Sequence, residues 1–187
     1  MRTVEISQVR QVVRDVVEQA LGPEPKAETP RRVVNPKRVA LGADHGGFEL
    51  KESLKRYVIE ELRYEVQDCG THSTDPVDYP DVAAAVAREV ASGRCVSGVI
   101  VDAAGIGSTM AANKVFGVRC ALCHDDATVL NSREHNDANV LAIGSRVVNR
   151  GLAARMVRLF LTTSFGGGRH ERRVAKIMAL ERGLRTD

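Results

Sequence analysis

No apolar run in the 187 residues is long enough to span a bilayer, so the sequence reads as that of a non-membrane protein. A secretory leader is not expected either. Charges break up the apolar positions at the N-terminus, where an export signal needs an uninterrupted apolar stretch. Cysteine is sparse: Cys69, Cys95, Cys120 and Cys123 fall far below the density of a disulfide framework, which points to a reducing cytosol. The net charge is only +3 and does not by itself imply a nucleic-acid partner. The arginines that cluster, Arg31/Arg32 and Arg169/Arg172/Arg173, suit small anions as readily as a polymer. The sequence has no phosphate-loop lysine, no complete dinucleotide fingerprint and no plausible metal cluster, so neither cofactor nor metal is expected. Cys120 and Cys123 are spaced like a zinc or redox pair, but they lie in an apolar run that reads as a strand. An odd separation there sends the two thiols to opposite faces, so both are expected to be structural.

What remains is ordinary globular composition, 43% hydrophobic and 27% charged, in a chain long enough for one domain with an appendage. The organisation falls into three regions. Over residues 1–21, Ile6, Val9, Val12, Val13, Val16, Val17, Ala20 and Leu21 recur at three- and four-residue steps, predicting an amphipathic helix. Residues 22–36 hold Pro23, Pro25, Pro30 and Pro36, four of the six prolines, and predict a semi-extended linker. From residue 37 to 187, short β-type runs alternate with helical periods. Strands are expected over Arg38–Ala43, Tyr64–Cys69, Val96–Val101, Val118–Cys123 and Ala138–Ile143. Helices are expected near 47–62, 81–92, 107–115, 126–134 and 150–162. That alternation predicts a Rossmann-like, doubly wound α/β domain with a parallel five-stranded sheet. Ligands bind such sheets beyond the carboxyl ends of the strands.

The residues after each strand carry the chemistry. The first strand delivers Asp44, His45, Gly46 and Gly47; Asp44 suits hydroxyl binding or proton handling, or else simply caps the next helix. The third runs into Asp102-Ala103-Ala104-Gly105-Ile106-Gly107-Ser108, where glycines let backbone amides approach an anion. Later come His135 and Asn136, then Gly144-Ser145-Arg146, then Gly166-Gly167-Gly168-Arg169-His170 and Arg173. Arg169 and Arg173, four apart on one helix face, form a fork for a phosphate or a solvated face. An acid/base pair, an amide-rich loop, an amide side chain and cations together suit a phosphorylated sugar or polyol.

Several of these segments, in order, resemble the ribose-5-phosphate isomerase B family. They are Gly42-Ala43-Asp44-His45-Gly46-Gly47-Phe48-Glu49-Leu50-Lys51, Val77-Asp78-Tyr79-Pro80-Asp81 and Ala111-Ala112-Asn113-Lys114-Val115. Arg133-Glu134-His135-Asn136-Asp137-Ala138-Asn139-Val140, Gly144-Ser145-Arg146-Val147-Val148 and Gly167-Gly168-Arg169-His170 complete the series. The resemblance covers about residues 37–180 and implies an aldose–ketose isomerase, dimeric or tetrameric, with sites shared between subunits. It implies Asp44 for sugar hydroxyls or ring opening, His135 as ring-opening acid/base, and Asn136 supporting an enediolate. It implies His45, Arg169 and Arg173 on the phosphate with Arg146 nearby, and Tyr79 lining the sugar pocket. The amides around Gly105, Ile106 and Gly107 would form the anion hole.

The likeness departs at the base. One branch of the family has cysteine where this chain has Asp102, and another has glutamate where it has Ser108. The stretch Val101–Ser108 instead resembles the A subunit of galactose-6-phosphate isomerase, which works beside a different partner subunit. Two readings stay open: Asp102 shuttles the proton as a carboxylate, or the base is lost and the chain binds sugar phosphates or depends on a partner. The helix over residues 4–21 resembles targeting peptides of enzymes packaged in bacterial microcompartments, which implies docking on a shell protein. The alternative is packing on its own domain or a dimer mate. The expected location is the cytoplasm, within a microcompartment if the targeting reading holds, and the five- or six-carbon length of the sugar is open.

Overall fold

The structure, a computed structural model, describes residues 35–181; the amphipathic segment and all but the last two linker residues lie outside that range. Five strands form one sheet: β1 Arg38–Ala43, β2 Glu65–Asp68, β3 Ser97–Asp102, β4 Cys120–Leu122 and β5 Val140–Gly144. Six helices accompany them: α1 Phe48–Glu60, α2 Tyr79–Ala91, α3 Ile106–Ala112, α4 Asp126–Asn136, α5 Arg150–Thr162 and α6 Arg169–Glu181. All pairings are parallel, in the order β2-β1-β3-β5-β4. The Rossmann-like α/β expectation therefore holds.

β1, β3 and β5 are buried on both faces, which is why they read as continuous apolar runs rather than alternating ones, whereas β2 at the sheet edge is partly exposed. Val39, Leu41, Val99, Leu141 and Ile143 point to a core shared with Leu54, Val58, Met156, Val157 and Phe160 of α1 and α5. Ala40, Ile100, Val140 and Ala142 point the other way, onto Ala83, Val86, Ala87 and Val90 of α2. That second face is built from small residues. A side chain at Gly42 or Gly98 would begin 2.7 Å from a methyl of Val86, so glycine there sets how closely α2 approaches the sheet.

Element bounds differ from expectation by one or two residues at β2, β3 and β5, and more at two places. The fourth strand was expected over Val118–Cys123 but pairs only over Cys120–Leu122. Side chains replace the ladder at its start: the Arg119 amide donates to Asn139 Oδ1 at 2.7 Å, and the Cys120 amide to Asn113 Oδ1 at 2.8 Å. The last segment, expected only as one face bearing two arginines, is a full helix of 13 residues, α6.

Candidate active site

The connection from β1 leads to β2 on one side, and the chain then crosses to β3 on the other, so the strand order reverses between β1 and β3 while all strands stay parallel. A crevice opens at such a point, above the carboxyl ends. Ala43 pairs with Val101, so Asp44 and Asp102 stand next to each other on the two strand tips. The Asp44 amide continues the ladder to Val101 O at 3.2 Å. Only glycine fits at 47, because a Cβ would lie 2.2 Å from Val101 O; the turn after β1 is thereby pressed onto β3.

Asp44 is buried, 8% exposed, and its Oδ1 accepts from the Gly47 amide at 3.0 Å. The bland expectation of a turn-capping carboxylate is thus met by one oxygen. Oδ2 receives no hydrogen bond among the described residues. His45 is exposed and its Nδ1 accepts from the Val77 amide at 3.3 Å, which turns the other ring nitrogen outward.

Asp102 is a different case. Its Oδ1 accepts from the Ala104 amide at 2.8 Å and from the Gly105 amide, and its Oδ2 accepts from the Ser108 amide at 3.2 Å and from Ser108 Oγ. An ionised carboxylate has about four lone-pair sites, and here four donors of its own loop fill them. Gly105 allows the tight turn, at φ +81, and an added Cβ there would lie 2.3 Å from Leu122. The expectation that Asp102 takes over a thiolate's task meets a carboxylate folded inward onto residues 104–108. The Gly105 amide, expected in the anion hole, is committed to Asp102, whereas the Ile106 and Gly107 amides donate to no acceptor among the described residues.

The rest of this end is drawn together by the same packing. The ring of Tyr79 lies so close over Gly107 that a Cβ there would be 2.5 Å from it. The Ser145 amide donates to Asp102 O at 2.7 Å and Ser145 Oγ to Gly46 O at 2.7 Å, tying all three strand tips together. Arg146 follows, exposed, with its amide on Ala103 O at 3.1 Å.

His135, Asn136, Arg169 and Arg173 are not brought to this place. α4 runs back alongside the sheet, so its last residues meet the amino ends of the strands, where Asn139 N donates to Arg119 O just before β4. The end of α5 meets it there, with Arg133 Nε on Thr163 O at 3.2 Å and Gly166 N on Glu134 O at 2.9 Å. Five strand residues separate the two ends by roughly 17 Å. Within one chain the expected site is therefore split in two.

At this second end the imidazoles of His135 and His170 stack, with centroids 4.2 Å apart and planes within 5°. Asn131 Nδ2 lies 2.9 Å from His135 Nδ1, which fits an amide donating to that nitrogen and leaves Nε2 as the protonated one. Partial burial, then the charges of His135, Arg169 and Arg173, push His170 below its ordinary value. His170 was not singled out as a site residue from sequence; its position beside Arg169 was the available signal. Lys51 was also missed. It is fully buried, with Nζ 3.0 Å from Asp68 Oδ1, 2.9 Å from Glu52 Oε1 and 2.6 Å from Thr71 O. Thr71 begins the loop that leads to Val77 and Tyr79, so this ammonium anchors one wall of the crevice.

A separate cavity of about 500 Å³ lies between α6 and the β4 edge, lined mainly by apolar residues including Val118, Ile177, Met178 and Leu180. Arg119 and Asn136 also line it, so it adjoins the second end rather than the carboxyl tips of the strands. The cysteines follow the structural expectation: Cys120 and Cys123 fall in opposite cores. Burial pushes the thiols of Cys69 and Cys120 up to about 12 and that of Cys95 up to about 11. Among the described residues no group of three or more His, Cys, Asp or Glu could hold a metal, and no helix is long and apolar enough to cross a membrane.

Sequence comparison matches residues 39–177 to the family described as ribose/galactose isomerase. The chain belongs to this family. Ribose-5-phosphate isomerase B of Escherichia coli (strain K12) is 43% identical over 145 residues, 78% of this chain and 97% of that protein. Galactose-6-phosphate isomerase subunit LacA 2 of Streptococcus pyogenes is 36% identical over 136 residues, covering 73% of this chain and 94% of that subunit. Among solved structures, Clostridium thermocellum ribose-5-phosphate isomerase B superposes with a TM-score of 0.76 at 44% identity, covering 78% of this chain and 98% of that one. The matched residues 39–177 include every described strand except the first residue of β1, and both halves of the split site.

Proposed function

We propose that this sugar-phosphate isomerase interconverts ribose 5-phosphate and ribulose 5-phosphate through an enediolate, in sites assembled from two copies of the chain. The observation that carries the reading is the pair of complementary half-sites at opposite ends of one sheet. One end offers Asp44, His45, Tyr79 and the free amides of Ile106 and Gly107. The other offers His135, Asn136, Arg169 and Arg173, with His170 stacked on His135. A two-fold axis that brings one end of a chain to the opposite end of its mate makes two identical complete sites.

Exposed apolar side chains support such a partner. Ile106 and Met110, one turn apart on α3, are 52% and 63% exposed, and Phe116 beyond it is 58% exposed. In the assembled site, His135 protonates or deprotonates the ring oxygen and Asn136 steadies the enediolate. The free amides receive the developing negative charge. His45, Arg169 and Arg173 hold the phosphate, with Arg146 available nearby.

A second reading has one observation in its favour. The Asp102 carboxylate occupies its own amide loop, and the galactose-6-phosphate isomerase subunit is among the relatives, so the chain would be the dependent half of a heteromeric enzyme. The purified chain in heavy water with ribose 5-phosphate, followed by proton NMR, separates the two. Ribulose 5-phosphate carrying solvent deuterium supports the first reading. Binding of ribose 5-phosphate without exchange or product overturns it in favour of the second.

The segment over residues 4–21 is proposed as a docking helix for a microcompartment shell protein, tethered by residues 22–36 to the isomerase domain.

A further inference from the structure

We infer that the carboxylate moving the proton between C1 and C2 is Asp44, and that Asp102 is a positioning residue. This rests on the isomerase reading and concerns which group in that site does the chemistry.

The two carboxylates stand on neighbouring strand tips, directly after the paired residues Ala43 and Val101. Neighbouring strands lie about 4.8 Å apart, so either side chain is in reach of the same bound sugar. Their engagement differs completely. Asp102 accepts four hydrogen bonds from Ala104, Gly105 and Ser108, both oxygens included. To take a proton from carbon it would have to break part of the turn that holds residues 104–108 in place. Asp44 accepts one side-chain bond, from the Gly47 amide to Oδ1, and that bond orients the group while leaving Oδ2 without a donor among the described residues. Gly46 keeps the space beside it free of a side chain: a Cβ there would lie 3.3 Å from Asp44 Oδ1 and 3.5 Å from the Ala103 Cβ. A general base needs a free lone pair, a fixed orientation and access. Asp44 has the first two and Asp102 only the second; burial does not separate them, at 8% and 5% exposed.

The step balances with no outside reagent. Starting from the open-chain aldose, Asp44 Oδ2 takes the C2 proton; the C2–H electron pair becomes the C1–C2 double bond and the carbonyl pair moves onto O1. The hydroxyl proton of O2 passes to O1, the neutral Asp44 acid returns its proton to C1, and C2–O2 becomes the carbonyl. One carbon is oxidised as its neighbour is reduced, and the carboxylate is regenerated. Asp102 meanwhile ties down the loop that presents the Ile106 and Gly107 amides.

The test starts from ribulose 5-phosphate, which has no ring to open because its 5-hydroxyl carries the phosphate. Exchange of a C1 proton with heavy water then reports proton transfer alone, in the full chain with Asp44→Asn, Asp102→Asn, Asp44→Gly and Asp102→Gly. Asp44→Asn keeps the Gly47 hydrogen bond, so folding, checked by circular dichroism, is preserved. Its exchange rate is expected to fall by about 100- to 10,000-fold, the usual contribution of a general base. Asp102→Asn is expected to exchange at least about tenfold faster than Asp44→Asn. Added formate is expected to restore exchange to Asp44→Gly and not to Asp102→Gly, a response that a merely structural residue does not give. Exchange retained in Asp44→Asn, or formate rescue confined to Asp102→Gly, overturns the assignment. Absence of exchange in the parent chain with ribulose 5-phosphate still bound overturns the isomerase reading, and the base with it.

Discussion

A lysine ammonium removed from water costs several kcal/mol unless anions and carbonyls replace its hydration. Lys51 meets that demand with Asp68, Glu52 and the Thr71 carbonyl, all within 3.0 Å of Nζ. Replacing Lys51 with methionine keeps the length but leaves the Thr71 oxygen without this donor and Asp68 with only Lys55 and the Gly70 amide. The expected loss is about 3 kcal/mol of stability, the range found when one partner of a buried pair is removed, read as a lower urea midpoint. The cysteines give a second prediction at this scale. Burial holds Cys69, Cys95 and Cys120 far from ionisation at neutral pH, and Cys123 is shifted up for the same reason. Thiolate is the reactive form. Native protein at pH 7.5 is therefore expected to label slowly with a disulfide reagent and to keep its turnover after iodoacetamide, whereas denatured protein labels rapidly at all four positions.

Between elements, the joint of α1 with β2 carries the clearest pH dependence. Burial acts to raise the Asp68 carboxyl, but hydrogen bonds from Lys55, the Gly70 amide and Lys51 outweigh it and hold the group below its ordinary 3.8. The folded state thus binds this proton less readily than the unfolded state. The stabilisation is complete above the ordinary value and is lost as pH falls through the lower folded one. Denaturation midpoints are expected to drop steeply below about pH 4, and Asp68→Asn is expected to flatten that slope. The opposite face of the sheet depends on sterics rather than charge. At Gly98 a Cβ would lie 2.7 Å from Val86 Cγ1 and 3.2 Å from Val90 Cγ2. Gly98→Val overpacks α2 against β3 and is expected to cost about 1–3 kcal/mol, measured by urea denaturation.

For the whole molecule the consequence of a split site is complementation. Asp44→Asn and His135→Asn each damage a different half, so each homodimer has two broken sites. In a hybrid, one site collects both substitutions and the other is intact. Equal amounts of the two inactive variants, unfolded together and refolded, are expected to regain about a quarter of parental activity. Half the dimers are then hybrids with one working site of two. No recovery in correctly folded hybrids rules out sites shared across this dimer. Removal of residues 1–36 is expected to leave steady-state kinetics unchanged while abolishing co-sedimentation with shell assemblies. Lost activity in a folded truncated chain contradicts the tether.

Sequence alone determined the parallel α/β sheet, because strands buried on both faces must be apolar throughout and the crossovers must show helical period. It also determined which residue types gather after the strands, since glycines and short polar side chains at strand tips leave a readable mark. Strand boundaries were less legible: Asn113 and Asn139 supply side-chain partners to the backbone before β4, and a side chain standing in for a ladder bond has no periodicity. Only the tertiary structure decided what Asp102 does, because acceptor saturation depends on where four donors converge, not on the identity of the carboxylate. The burial of Lys51 has the same origin. The division of the site between the two ends of the sheet was likewise a matter of chain direction, since α4 carries His135, and α6 carries Arg169 and Arg173, away from the crevice that Asp44 lines.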